Sequence, residues 1–181
     1  MIKAEYQAKF NLGDYKNAHA HEECKGDFEI YLVEKMPLSL NAIGYIQLPN
    51  VPMVSCKSCD AAYLLPRFED FIDRAVAAKL LISPNVLSPR EIKFLRLVTD
   101  SKQQEVANYI DCERSHYAKC ESEKSATHRL SVGRQKLLKL FHAQKLGLMD
   151  KTIPNLTFLR EETLSREELS RSVADEMQNF A

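Results

Sequence analysis

Ser101-Lys102-Gln103-Gln104-Glu105-Val106-Ala107-Asn108-Tyr109-Ile110-Asp111-Cys112-Glu113-Arg114-Ser115-His116-Tyr117-Ala118-Lys119-Cys120-Glu121 is the stretch that decides the fold. Ser101, with Gln104 three residues on, has the pattern of a helix start, and Val106, Ala107 and Ile110 supply that helix with an apolar face. Asp111 stands at the turn that follows. A second short helix is predicted over about Arg114–Glu121. In it Tyr117 and Cys120 lie on the side that packs with Ala107 and Ile110, while Arg114, Ser115, His116 and Lys119 are polar and lie on the other. Two short helices across a tight turn leave the polar, basic face of the second open to a partner. The plainer alternative is a helical bundle with a solvated basic face.

The flanks extend the helical run in both directions. Ser88-Pro89-Arg90-Glu91 combines a capping serine, a proline suited to the first helical position and a glutamate that can close a capping box, ahead of Ile92, Leu95 and Val98. Further upstream, Phe68, Phe71, Ile72, Ala75, Val76, Lys79 and Leu80 follow helical spacing until Ser83-Pro84-Asn85 breaks it. Downstream, Val132 to Leu146 is predicted helical, with Leu137, Leu138 and Phe141 inward and Gly147 as the C-cap glycine. A last helix starts at Ser165-Arg166-Glu167-Glu168, with an apolar stripe of Leu169, Val173, Met177 and Phe180. That stripe serves either packing within the chain or a dimer contact.

Residues 1–64 have a different character. Phe28-Glu29-Ile30-Tyr31-Leu32-Val33, Ala42 to Leu48 and Pro52-Met53-Val54-Ser55 are predicted strands, punctuated by Pro37, Pro49 and Pro52. Within this region His21-x2-Cys24 and Cys56-x2-Cys59 have metal-ligand spacing. A two-residue gap lets both side chains of a pair reach one ion from a tight turn, and two such knuckles complete a tetrahedron. One structural Zn2+ per chain is expected, held by His21, Cys24, Cys56 and Cys59, with His19 as the competitor of His21. Four protein ligands leave no open position for a catalytic water. Cys112 and Cys120, the other two of the five cysteines, are expected as small core residues.

Net charge is zero, but its distribution is uneven. Residues 1–87 carry 9 Lys and Arg against 11 Asp and Glu, residues 88–149 carry 12 against 7, and residues 150–181 carry 4 against 7. A basic middle between acidic flanks is compatible with a nucleic-acid partner for the middle section. The hydrophobic fraction of 45% suffices for a buried core. No apolar run approaches the ~18 residues of a membrane span, and the first residues lack a signal-peptide pattern, so a cytoplasmic protein without membrane contact is expected. No Ser/His/Asp arrangement, Gly-rich phosphate loop or carboxylate cluster stands out, so binding is expected rather than catalysis.

Leu48-Pro49-Asn50-Val51-Pro52-Met53-Val54-Ser55-Cys56-Lys57-Ser58-Cys59 resembles the second half of a YgiT-type zinc finger, found in MqsA-like antitoxins. The family's first pair is usually Cys-x-x-Cys, where this chain has His21-x-x-Cys24, and its Gly-Glu after the last cysteine is Asp60-Ala61 here. Residues 88–146 are similar to the Xre/Cro-type helix-turn-helix domain that follows the zinc finger in those proteins. The likeness lies in Glu91 to Arg96, Gln103 to Ala107 and Arg114 to Glu121; Asp111 replaces the usual turn glycine, and Glu121-Ser122-Glu123 the usual Glu-x-Gly. The resemblance implies a homodimer that binds a palindromic operator in double-stranded DNA, with Arg114, Ser115, His116 and Lys119 on the helix that enters the major groove, a phosphate-contacting role for Gln103, and a toxin protein as partner.

The expected fold class is therefore α+β. Residues 1–64 form a zinc-ribbon-like β-rich domain, 65–87 a linking helix and linker, 88–149 an all-α helix-turn-helix bundle, and 150–181 an acidic tail with one helix. The expected function is a zinc-stabilised transcriptional regulator of the antitoxin type. The alternatives are a stand-alone DNA-binding regulator and a zinc-ribbon adaptor that binds protein only.

Overall fold

In the computed structural model, the described residues are 28–40, 43–56, 58–59, 61–64, 66–124, 128–150, 152 and 166–180. They form a mixed α+β structure in which a three-stranded antiparallel sheet precedes the helices. Strand β1 (Phe28–Leu40) and strand β2 (Gly44–Cys56) make one long hairpin, paired from Phe28 with Cys56 to Leu40 with Gly44. Strand β3 (Ala62–Leu64) adds to the far end of β2, opposite Met53–Ser55.

The hairpin is longer than the sequence suggests, because the prolines do not end the strands. Pro37 lies on the edge strand β1, and Pro49 and Pro52 lie on the part of β2 that β3 leaves uncovered. A proline whose missing N–H faces outward costs no ladder bond at such positions. Asn50, between them, adopts φ 52° and changes the burial pattern. Before it Ile46 and Leu48 are buried in alternation; after it Val51, Pro52, Met53 and Val54 are all buried.

Six helices follow. Helix α1 (Pro66–Ile82) packs its Phe68, Ile72, Val76 and Leu80 inward, as their spacing predicts. Helix α2 (Pro89–Val98) starts on a complete capping box: Ser88 Oγ accepts from the Glu91 amide, and Glu91 Oε2 accepts from the Ser88 amide. Helix α3 (Gln103–Tyr109) begins one residue later than the Ser101 pattern suggests. Lys102 occupies its N-cap, with its amide donating to Glu105, while the Ser101 hydroxyl donates to the Thr99 carbonyl. Helix α4 (Arg114–Cys120), helix α5 (Val132–Leu146) and helix α6 (Arg166–Phe180) complete the set. Gly147 ends α5 at φ 71°, and the Leu148 amide donates to the Ala143 carbonyl behind it.

One buried cluster runs from Leu38 on the hairpin to Val173 on α6. Helix α6 packs on α1 and β2, so Leu169 and Val173 spend their apolar surface inside the chain. The side chains of Met177 and Phe180 lie outside the described set. Among the described residues no helix is long and apolar enough to cross a membrane.

Helix α5 corrects one expectation. Leu138 and Phe141 are inward, but Leu137 is exposed, and three polar residues, Gln135, Lys139 and His142, are buried instead. Each finds a partner elsewhere in the chain. Gln135 brackets Leu87, accepting from its amide and donating to its carbonyl at 3.2 Å each. Lys139 Nζ donates to the carbonyls of Ser83 and Asn85 at 2.6 and 2.7 Å, closing the connection between α1 and α2. Burial pulls its ammonium down to about 8, partly offset by the Glu91 carboxylate.

Candidate nucleic-acid interface and zinc knuckle

Helices α3 and α4 are joined by residues 110–113. A seven-residue helix is marginal alone, so α4 depends on packing. Tyr117 and Cys120 provide it: both are buried, alongside Ala107 and Ile110, as the sequence predicts. The turn is built on Asp111, which adopts φ 52° where the resembling family usually has glycine. Its carbonyl accepts a 2.6 Å bond from Arg134 Nη2 of α5, and the Cys112 amide donates back to the Ala107 carbonyl at 3.0 Å. Aspartate tolerates this left-handed region better than most residues, but still at a cost that glycine avoids. Asp111→Gly is therefore expected to raise stability by about 0.5–1 kcal/mol. Asp111→Ala is expected to lower it, and urea unfolding of the two variants measures both.

The end of α4 is fixed to its neighbours by Glu121. This buried carboxylate accepts from Arg96 Nε at 2.6 Å, from Arg96 Nη2 at 3.1 Å and from Gln103 Nε2 at 2.8 Å. One side chain thus ties α2, the start of α3 and the end of α4. The hydrogen bond to Glu121 raises the Arg96 guanidinium above its ordinary range, against the effect of burial. Nearby, the Tyr117 hydroxyl is buried with no hydrogen-bond partner among the described residues. Burial, with the Glu121 carboxylate adding to it, pushes this phenol well above its usual range.

Of the residues expected to face DNA, Arg114, Ser115 and Lys119 are exposed on α4. Ser115 Oγ donates to Glu113 at 3.2 Å, whereas Arg114 and Lys119 make no ion pair among the described residues. Two other surface cations of this section are engaged, Arg90 with Glu123 and Lys145 with Glu105 at 2.7 Å. His116 differs from its three neighbours. It is half-buried, with Nε2 3.6 Å from Cys120 Sγ and its ring 6.0 Å from that of His128. Gln103 stands at the first position of α3, with one amide hydrogen given to Glu121.

The metal pairs divide. Cys56 ends β2 and is buried, Cys59 is exposed in the turn that follows, and the Cys56 amide closes that turn on the Ala61 carbonyl at 2.9 Å. This closed turn suits a knuckle, since it brings both thiols of the pair to one loop. His21 and Cys24, and the rival His19, lie outside the described residues. Among the described residues no group of three or more His, Cys, Asp or Glu could hold a metal.

Several chemically important groups escape a sequence reading. His142 shows no evident partner by spacing, yet it is buried with Nδ1 2.9 Å from Thr99 Oγ1. Thr99 Oγ1 also lies 2.8 Å from the Leu95 carbonyl and 3.0 Å from Ser101 Oγ. Nε2 has no partner among the described residues. Burial, with Arg96 and Lys145 nearby, lowers this imidazole to about 3, against the opposing pull of Glu105. Comparison with protein-family models, with curated proteins and with solved structures yields no match.

Proposed function

We propose that the chain is a zinc-stabilised, sequence-specific DNA-binding regulator that reads DNA with α4. The observation that carries this is that Arg114 and Lys119 are exposed and form no ion pair among the described residues, on a helix held by the Asp111 turn and by Glu121, in the most basic section of the chain. Arg114, Ser115 and His116 stand at the N-terminal end of α4, where such a helix meets base edges, and Lys119 reaches toward a phosphate. Gln103, at the start of α3, keeps a second amide hydrogen for phosphate while Glu121 fixes the first. A homodimer binding a palindrome follows from the spacing of half-sites about one helical turn apart.

The zinc reading accompanies this one: His21, Cys24, Cys56 and Cys59 would hold one structural Zn2+. Its role would be purely structural, four protein ligands leaving no open position on the ion. Elemental analysis is expected to find about one zinc per chain, and Cys56→Ser to lose it. Full zinc retention in that variant would remove Cys56 from the ligand set.

Antitoxin action is the narrower form of the proposal. Its support is the exposed Tyr31, Leu32 and Tyr45 on the hairpin, apolar groups suited to a protein partner. The same observation favours the second reading, an adaptor that binds protein only. Retention on DNA separates them. Arg114→Ala with Lys119→Ala is expected to weaken retention at low salt by about 10–100-fold and to reduce the salt slope by about 1–2. Unchanged retention would favour the adaptor.

A further inference from the structure

We propose that the cleft behind α4 binds a small carboxylate with an apolar body. A partly enclosed space of about 440 Å³ lies where the start of α2, the end of α4 and the residues before α5 meet. That volume is within the ~300–1,000 Å³ of ordinary small-molecule sites. Its apolar wall includes Leu87, Ile92, Leu130 and Val132. Its polar groups fix the sign of the ligand. Arg129 is exposed at the rim, and no described residue forms a hydrogen bond or ion pair with its guanidinium. Ser88 is engaged with Glu91, its Oγ accepting from the Glu91 amide and its own amide donating to the Glu91 carboxylate. The Gln135 amide is already spent on both backbone groups of Leu87. Among the described residues no acidic side chain lines the cleft.

The site thus offers an apolar wall and one permanent positive charge at its rim, with the His128 ring beside it. A carboxylate matches one guanidinium in charge and in fork geometry, where a doubly charged phosphate would leave a charge unmet. A ligand there would touch the last turn of α4 through Cys120. Any effect on DNA through that contact rests on the DNA-binding reading above, whereas occupancy of the cleft does not.

Calorimetric titration of the full chain with octanoate, octan-1-ol and octylammonium tests the site without DNA. Octanoate is expected to bind with one-to-one stoichiometry, at least about 10-fold tighter than octylammonium. Arg129→Gln should remove that difference, and Val132→Trp, which fills the mouth, should abolish binding of all three. Lys93→Gln, the same charge change at an exposed position outside the cleft, should leave octanoate binding intact. Thermal unfolding establishes that each variant is folded. The proposal is overturned if folded protein shows no saturable octanoate binding, if octylammonium binds as tightly, or if Arg129→Gln and Lys93→Gln act alike. Adding octanoate to a DNA-retention assay then reads the coupling separately, so failure of DNA binding does not count against the cleft.

Discussion

Glu121→Ala is expected to destabilise the chain by about 3–5 kcal/mol, the cost typical of removing one partner of a buried ion pair. The Glu121 side chain is 4% exposed and that of Arg96 15%, so the guanidinium left behind regains little water. The loss does not end with the pair. Gln103 Nε2 loses its acceptor as well. The variant also frees α4 from α2 and α3 together, so its thermal midpoint should fall by about 10 °C or more. Glu123→Ala provides the comparison, because the Arg90–Glu123 pair is exposed and its loss should be small. Similar losses in both variants would show that the Glu121 network contributes no more than a surface bridge. Glu121→Gln, which keeps an acceptor but no charge, should fall between wild type and Glu121→Ala.

The second large effect is on acid stability. The native His142 imidazole is held near 3 by burial, while in the unfolded chain it titrates near 6.5. Between those values the unfolded state binds the extra proton, so stability is complete above pH 6.5 and declines as pH falls toward 3. By pH 4.5 the loss from this one group is about 3 kcal/mol. Glu91 works in the opposite direction, since burial raises its carboxyl and the native state gains a proton there first. Urea unfolding of wild type and His142→Asn at pH 7 and pH 4.5 isolates the histidine. His142→Asn is expected to start less stable at pH 7, for loss of the packed ring, and to lose clearly less than wild type on acidification. Equal losses in the two proteins would assign the acid sensitivity to other groups.

Both effects depend on side chains that sequence reading places poorly, for one physical reason. Apolar periodicity finds helices and their caps: the Ser88–Glu91 box, the α1 stripe, the α3–α4 pair and the Gly147 cap are all legible because they are local. A buried polar residue is stabilised by a distant partner instead. Glu121 meets Arg96 across 25 residues of sequence, and Lys139 meets Ser83 across 56. On α5 this misleads the inward face, because Lys139 and His142 occupy positions that periodicity gives to apolar side chains, and Leu137 is exposed. The hairpin fails for a different reason. Proline ends a strand only where its amide would have been paired, and strand order cannot be seen before the fold is known.

The candidate interface is legible to a similar degree. The exposure of Arg114, Ser115 and Lys119 and the burial of Tyr117 and Cys120 follow from helical spacing alone. The contact of His116 with Cys120, and the hold of Glu121 on Gln103, required the three-dimensional arrangement. Asp111 shows the converse case. Sequence places it at the turn between the two helices, and the structure shows that it adopts a positive φ there.

A nuclease footprint of the purified protein on the DNA upstream of its own coding sequence tests the central claim most directly. DNA reading by α4 in a dimer is expected to give a protected palindrome whose half-sites lie about 10 base pairs, or one helical turn, apart. It should also give loss of protection in the Arg114→Ala, Lys119→Ala protein. An unprotected upstream region, or protection that survives both substitutions, would contradict it.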